Sequence, residues 1–409
     1  MENNDKTIKI LLGHEYMARF EKHDDLKKSL FYELYEKGFK ELAQIVKLSE
    51  RHDSDYPILE NKNQPENYNN IISFIGERGT GKTSAMTSFV NEIVSLDKTN
   101  NRVWGKTQTE EDFFKRHILT KKFAHIGTID PSTFRENDGL IELIIARMFD
   151  RFQTVARDRN NFLDDSSKRK LLNSFQSVHQ DLKFINEEKK DVFKKETIEA
   201  LSELAYGTNL KNHFGELVSD YLRILEKNAD FLIISIDDFD LNFSGAYQLL
   251  EDIRQFLIQQ NIVIVLACKM EQLKDAVRYE IIKKSNEIFQ ESVKEQDGYY
   301  FEDGPKEQSI RYLEKLLPLN RRLYTSNVLL DGNTGIELIG QDGAEPLLSS
   351  DNVENFLSEL IYKRSGLFTS RNNSSDTFLV GKTLRELIHQ VVTINEYTSP
   401  QNLLNYLAH

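Results

Sequence analysis

The residues best suited to chemistry begin where an apolar run, Ile71 to Ile75, gives way to a glycine-rich turn. Gly76, Glu77, Arg78, Gly79, Thr80, Gly81, Lys82 and Thr83 follow the pattern G-x-x-x-x-G-K-[ST], and Ser84 continues into a helix-compatible stretch. Glycines at the first, fourth and sixth places lack Cβ, so backbone N–H groups can converge on phosphate oxygens and form an anion nest. Lys82 can reach β- and γ-phosphates as a point charge, and the Thr83 hydroxyl is placed to bind Mg²⁺ at the first turn of the following helix. The N-terminus of that helix adds partial positive charge. A chance glycine-rich turn is the plain alternative, but the strand before it and the helix after it supply the context a phosphate cradle needs.

A second stretch, Phe231 to Asp240, is apolar until it ends in paired carboxylates, as expected of a buried parallel strand. It looks like a Walker B strand. Asp237 would hold Mg²⁺ directly or through water, and Asp238 lies where a carboxylate can polarise an attacking water. Asp240 is expected to cap the next segment. An apolar strand ending in Asp-Asp is a modest signal alone, and the upstream cradle strengthens it.

These residues need a scaffold, and the chain is long enough for more than one domain at 409 residues. A net charge of -12 argues against a generally basic nucleic-acid binder. Lys168, Arg169 and Lys170 could contact phosphate locally, although a solvated helix face explains them as well. Cys268 is the sole cysteine, which excludes intrachain disulfides and cysteine-based zinc sites and fits a reducing, cytoplasmic setting. The first residues are polar, and no apolar run approaches the roughly 18 residues of a membrane helix. The chain therefore reads as soluble, with no membrane partner.

Taken in order, residues 1 to about 55 carry apolar positions at helical spacing, notably Leu30, Phe31, Leu34, Phe39, Leu42 and Ile45. The spacing predicts an amphipathic helical preface, and a polar loop containing Pro65 leads from it into the first core strand. Phe123 to Ile129 predicts a second strand, stopped by Asp130 and Pro131. An Asx-turn accounts for an Asp before Pro, so Asp130 stands outside the catalytic set, and His125 reads as a satisfied core residue. Leu140, Ile141, Ile144, Ile145 and Met148 trace a helix. Residues 151 to about 228 predict a helical insertion. After the Asp pair, Leu249 to Leu257 predicts a helix, Asn261 to Cys268 another buried strand, and Lys269 to Leu273 the opening of a further helix, a βαβ-like alternation. Cys268 and Lys269 are the side chains available for a γ-phosphate sensor. Turn-rich sequence past Tyr324 predicts a loop, and helical spacing resumes near Val353, Phe356, Leu357 and Leu360.

Four stretches together resemble the KAP family of P-loop NTPases, a branch near the AAA+ and STAND ATPases: Gly76 to Ser84, Ile236 to Asp240, Val265 to Leu273, and Arg311 to Pro318 with its Tyr-Leu-Glu-Lys signature. The resemblance implies an α/β fold, an AAA+-like parallel sheet with a helical insertion and a C-terminal helical lid. It implies ATP and Mg²⁺ as ligands, and ATP hydrolysis coupled to conformational change or to assembly of a homo-oligomer. It further implies a soluble branch of the kind found among bacterial ATPases that defend against phages and plasmids, which is analogy of fold. Lys269 departs from the acidic residue expected after the sensor strand. Arg385, within Lys382 to Ile388, occupies the kind of helix where such lids carry a sensor arginine, and a surface arginine on an amphipathic helix explains it equally. Arg311 is the leading candidate for an arginine finger delivered in trans, with Arg321 and Arg322 as rivals; the plain alternative is a pair between Arg311 and Glu314. The expected divisions are a helical preface at 1–65, an ATPase domain at 66–330 with the insertion at about 151–228, and a lid at 331–409. Two other functions stay open: a slow nucleotide switch that recruits a separate effector protein, and a DNA-loading ATPase.

Overall fold

The structure is a computed structural model that describes residues 7–13, 26–27, 29–55, 68–96, 102–131, 139–157, 163–188, 197–239, 245–289, 303–325, 334–340, 346–367, 383–397, 400–401 and 403. In chain order its elements are β1 (Thr7–Leu11), α1 (Tyr32–Asp55), β2 (Ile71–Ile75), α2 (Lys82–Ser95), α3 (Gln108–His117), β3 (Phe123–Ile129), α4 (Leu140–Arg157), α5 (Asp165–Glu188) and α6 (Thr197–Ile224). Then come β4 (Phe231–Ile236), α7 (Ala246–Asp252), a π-helical turn (Ile253–Leu257), β5 (Ile262–Cys268), α8 (Met270–Phe289), α9 (Asp303–Leu316), β6 (Arg322–Tyr324), β7 (Gly335–Ile339), β8 (Pro346–Ser350), α10 (Val353–Ser365) and α11 (Leu384–Glu396).

The fold is α/β, and its principal sheet has five strands in the order β3-β4-β5-β2-β6. The pairs β3-β4 and β4-β5 are parallel. Every residue of β2, β4 and β5 is buried, which is why these segments read as unbroken apolar runs and not as alternating ones. Asn70, immediately before β2, is fully buried and spends its side-chain amide on the carbonyls of Leu257 and Ile262 at 2.9 and 3.0 Å. One polar side chain thereby closes the entry to the cradle strand without leaving donors orphaned.

The chain divides into two compact units, one of Gly38–Ser73 and Ile93–Arg322, the other of Met1–Lys37, Phe74–Glu92 and Leu323–His409. In the larger one, α4 buries Leu140, Ile141, Ile144, Ile145, Met148 and Phe152, the face its spacing predicts. Helices α5 and α6 pack as a pair. Asp220 on α6 accepts Lys170 at 2.7 Å, Arg223 at 2.9 Å and Ser174 at 3.1 Å, and His213 meets Asp181 at 2.7 Å. Lys170 is therefore tied to a carboxylate of its own chain. The segment predicted as one helix from Leu249 to Leu257 instead ends α7 at Asp252 and continues as the π-helical turn.

The smaller unit holds a sheet that no periodicity in the sequence announces, in the order β1-β7-β8, with β1-β7 parallel and β7-β8 antiparallel. Residues 7–11, expected to be helical, are a strand in which Ile8 and Ile10 are buried and Lys9 is exposed. The segment past Tyr324, expected as loop, contains two strands; its turn residues flank them, and Pro346 opens β8 at the sheet edge, where a missing N–H costs no ladder bond. Ile8, Ile10, Ile336 and Leu338 pack with Phe356, Leu357, Leu360 and Val391 from α10 and α11 in a core of this unit. Asn352 caps α10, accepting from Glu354 N at 2.8 Å, and Gly366 ends it at φ 71°. Thr383 and Glu386 form a capping box at the start of α11. Among the described residues no helix is long and apolar enough to cross a membrane.

Candidate functional site

The cradle lies in the smaller unit, between the last residues of β2 and the start of α2. Gly79 and Gly81 adopt φ values of +83° and +86°, which L-residues with a Cβ reach only at a cost of about 1–2 kcal/mol each. Left-handed residues in such a loop are the conformation from which backbone N–H groups can be directed at an anion. Thr80 closes the turn, donating from N at 3.3 Å and Oγ1 at 2.8 Å to the Glu77 carbonyl. Lys82, 7% exposed, lays its ammonium over the same loop and donates to the Glu77 carbonyl at 3.1 Å. Glu77, Arg78 and Thr83 are exposed, and Ser84 is half-buried. The residue set therefore fits a phosphate ligand: two left-handed glycines, a buried cation, and a hydroxyl at the first turn of a helix.

Two further segments meet the cradle, and the first of them, Thr325, has no signature in the sequence. Behind it, Thr325, one residue past β6, donates from N to the Ile75 carbonyl at 2.8 Å, and its Oγ1 stands 2.7 Å from Thr80 Oγ1. A Cβ on Gly76 would collide with that Thr325 oxygen and fall 2.7 Å from Thr80 Oγ1, so this glycine is required by packing. In front of it, the first turn of α11 meets the loop: Arg385 N donates to Gly79 O at 3.0 Å. A Cβ on Gly81 would lie 2.7 Å from the Phe31 ring and 3.3 Å from Leu384. The structure thus brings Arg385 against the cradle, with its side chain exposed.

In the larger unit Asp237 and Asp238 follow β4, both half-buried. Asp237 N donates to Ile129 O at 2.8 Å, continuing the β3 pairing by one residue. Asp238 leaves the strand at φ 46°, a left-handed conformation in which Asp is enriched among non-glycine residues. That turn seats Phe239, fully buried, whose N–H donates to Ala267 O at 3.3 Å. Cys268 is buried and Lys269 half-buried at the end of β5. Asp240 lies outside the described residues. His125, expected as a satisfied core residue, has Nε2 at 2.7 Å from Ser235 Oγ. Burial, and then the neighbouring Arg147 charge, pull its pKa down to about 4.

The three candidate arginines separate by burial. Arg311 has 78% of its side chain exposed and pairs with Glu307 at 3.1 Å, an i,i+4 contact, and not with Glu314, the partner named in the plain alternative. Arg321 is buried, donating to Asn69 O and lying 3.7 Å from Glu41. Arg322 is buried too and donates to the carbonyls of Leu317 and Leu313 at 2.9 and 3.3 Å.

No family model and no curated protein matches the chain. Among solved structures it is similar to a structure of C. elegans PCH-2, at 11% identity and a TM-score of 0.25, over 88% of this chain and 66% of that one, slightly less than two thirds of its length. A likeness this slight bears no weight, and the functional reading rests on the residues themselves.

Proposed function

We propose that this protein binds Mg-ATP and hydrolyses it, coupling nucleotide state to conformational change or to assembly of a homo-oligomer. The observation that carries the reading is the cradle: two left-handed glycines, a buried lysine folded over the loop, and a hydroxyl on the first turn of α2. In this reading Gly76, Glu77, Arg78, Gly79, Thr80, Gly81 and Ser84 would supply the loop, Lys82 would contact the β- and γ-phosphates, and Thr83 and Asp237 would be the Mg²⁺ ligands. The metal, when bound, would neutralise charge developing on the phosphates. Asp238 would accept the proton of the attacking water. Arg385 would respond to the nucleotide, and Arg311 would be supplied by a neighbouring subunit. The resemblance to KAP NTPases supports a soluble ATPase of bacterial anti-phage defence, and a slow nucleotide switch that recruits a separate effector protein is the alternative.

The test is nucleotide binding by Lys82→Ala. It should lose most ATP affinity, measured by titration of a fluorescent ATP analogue, because Lys82 is the cation buried over the loop where the phosphates would sit. Near-native affinity would overturn the cradle. Steady-state turnover of the unmodified protein separates an ATPase from a slow switch.

A further inference from the structure

Strands β3 and β4 change phase partway along their pairing. Phe123, Ala124 and His125 align with Phe231, Leu232 and Ile233, whereas Thr128 aligns with Ser235 and Ile129 with Ile236. From His125 to Thr128 the chain advances by 128 − 125 = 3 residues, while its partner advances by 235 − 233 = 2. This is a β-bulge at Ile126 and Gly127, a feature over-represented beside active sites, where it re-aims a side chain.

Successive side chains of a strand point to opposite faces, so one extra residue exchanges the faces of everything beyond it. Without the bulge, Gly127 would stand beside Ser235 and Ile129 beside Asp237. With it, Thr128 stands beside Ser235 and Ile129 beside Ile236; Asp237 N–H donates to Ile129 O, so the same register carried one residue further sets Asp130 beside Asp237. Side chains hold the bulge in place. Ser235 Oγ donates to Thr128 Oγ1 at 3.0 Å and meets His125 Nε2 at 2.7 Å, while Arg147 Nη1 donates to the Thr128 carbonyl at 2.6 Å. Gly127 accommodates the kink at φ +89°, and a Cβ there would lie 3.3 Å from Arg147 Nη1.

We propose that this bulge is a positioning device and that Asp130 is a second carboxylate acting with Asp237 on the metal ion or its water shell. The inference rests on the hydrolytic reading above. Mg²⁺ is commonly held by one or two carboxylates together with substrate phosphates and retains several waters.

Asp130→Asn is the discriminating variant, because asparagine keeps an Asx-turn before Pro131 while removing the charge. On the full chain, ATP-analogue binding is titrated without Mg²⁺ and then against Mg²⁺, with turnover and thermal midpoint measured alongside. The expected result is Mg-free affinity within about twofold of wild type, an unchanged or raised metal-free midpoint, and a Mg²⁺ requirement shifted upward by roughly 10- to 100-fold, the usual range for residues supporting a metal. Turnover should fall with it. Unchanged Mg²⁺ dependence in Asp130→Asn, whatever its turnover, overturns the inference. If Asp237→Asn shifts Mg²⁺ dependence in the same assay, the hydrolytic reading survives that failure. Should Lys82→Ala bind ATP normally, both fall together.

Discussion

His125 should make this protein acid-sensitive over a defined window. Its ring lies in a sheet, bonded to Ser235 and near Arg147, and its pKa is held at about 4 against an ordinary value of 6.5. The sign follows from proton uptake. Between pH 6.5 and 4 the unfolded chain binds a proton that the native imidazole refuses, so stability falls as pH falls across that window and is insensitive to this group outside it. Integrating one proton from pH 7 to pH 4.5 gives a loss of about 2.4 kcal/mol. His125→Gln cannot ionise yet can still bond Ser235. Urea unfolding of both proteins at intervals between pH 7 and 4.5 isolates the effect, because carboxylate contributions common to both cancel in the difference. The variant should gain about 2.4 kcal/mol relative to wild type across the interval. Parallel stability curves, or an NMR titration placing the native ring near 6.5, would refute the reasoning.

Three further outcomes test the site. Gly76→Ala should cost about 1–3 kcal/mol as overpacking, with weaker ATP binding; adding Thr325→Ala removes the oxygen that the new Cβ would strike and should recover part of the loss in denaturant melts. Asp238→Asn should bind Mg-ATP yet turn it over at least about 100-fold more slowly, the lower end of what a positioned base contributes, whereas Asp237→Asn should weaken the Mg²⁺ dependence of binding; normal rates in both would make the pair structural. Arg311→Ala subunits should regain hydrolysis when mixed with Lys82→Ala subunits, recovering part of a loss of about 10³-fold or more; no rescue, or full activity of Arg311→Ala alone, removes the trans arginine.

What is legible in the sequence is local. The apolar runs of β2, β4 and β5 and the apolar face of α4 are periodicities contained within a few turns or pleats, and the structure carries them as strands and helix. The glycine pattern at 76–81 is equally local. β1 is hidden because its five residues alternate too briefly to outweigh the helical spacing that follows, and its partner β7 lies more than 300 residues away. Thr325 is invisible for the same reason, since its role exists only once β6 reaches the end of β2. The bulge in β3 is harder still. A sequence of seven β-compatible residues does not announce which one will be extra, because that is decided by Ser235 on another strand and Arg147 on a helix. Taken from sequence, Asp130 is a turn residue on the strength of Pro131 alone, and nothing nearby in the chain tells which face it will share.

The arginines show how burial turns a sequence tie into a ranking. Arg311, Arg321 and Arg322 lie within twelve residues of one another, and nothing in their types separates them. A finger must leave its own subunit to reach a phosphate elsewhere, so its bonds at home must be cheap to break. Removing Arg321 or Arg322 from its place would strip buried carbonyls of their donor, at about 1–3 kcal/mol for each group left unsatisfied. The ion pair of Arg311 with Glu307 is exposed on both sides and is worth at most about 1 kcal/mol in such settings. Arg254, also on the surface, is held by Glu251 at 2.6 Å, and Glu251 in turn accepts from Tyr312 at 2.6 Å, so its release disturbs a network. Availability alone does not make Arg311 catalytic, but of these four guanidiniums it has the least to lose by engaging a neighbour, which is why the mixing experiment is directed at it.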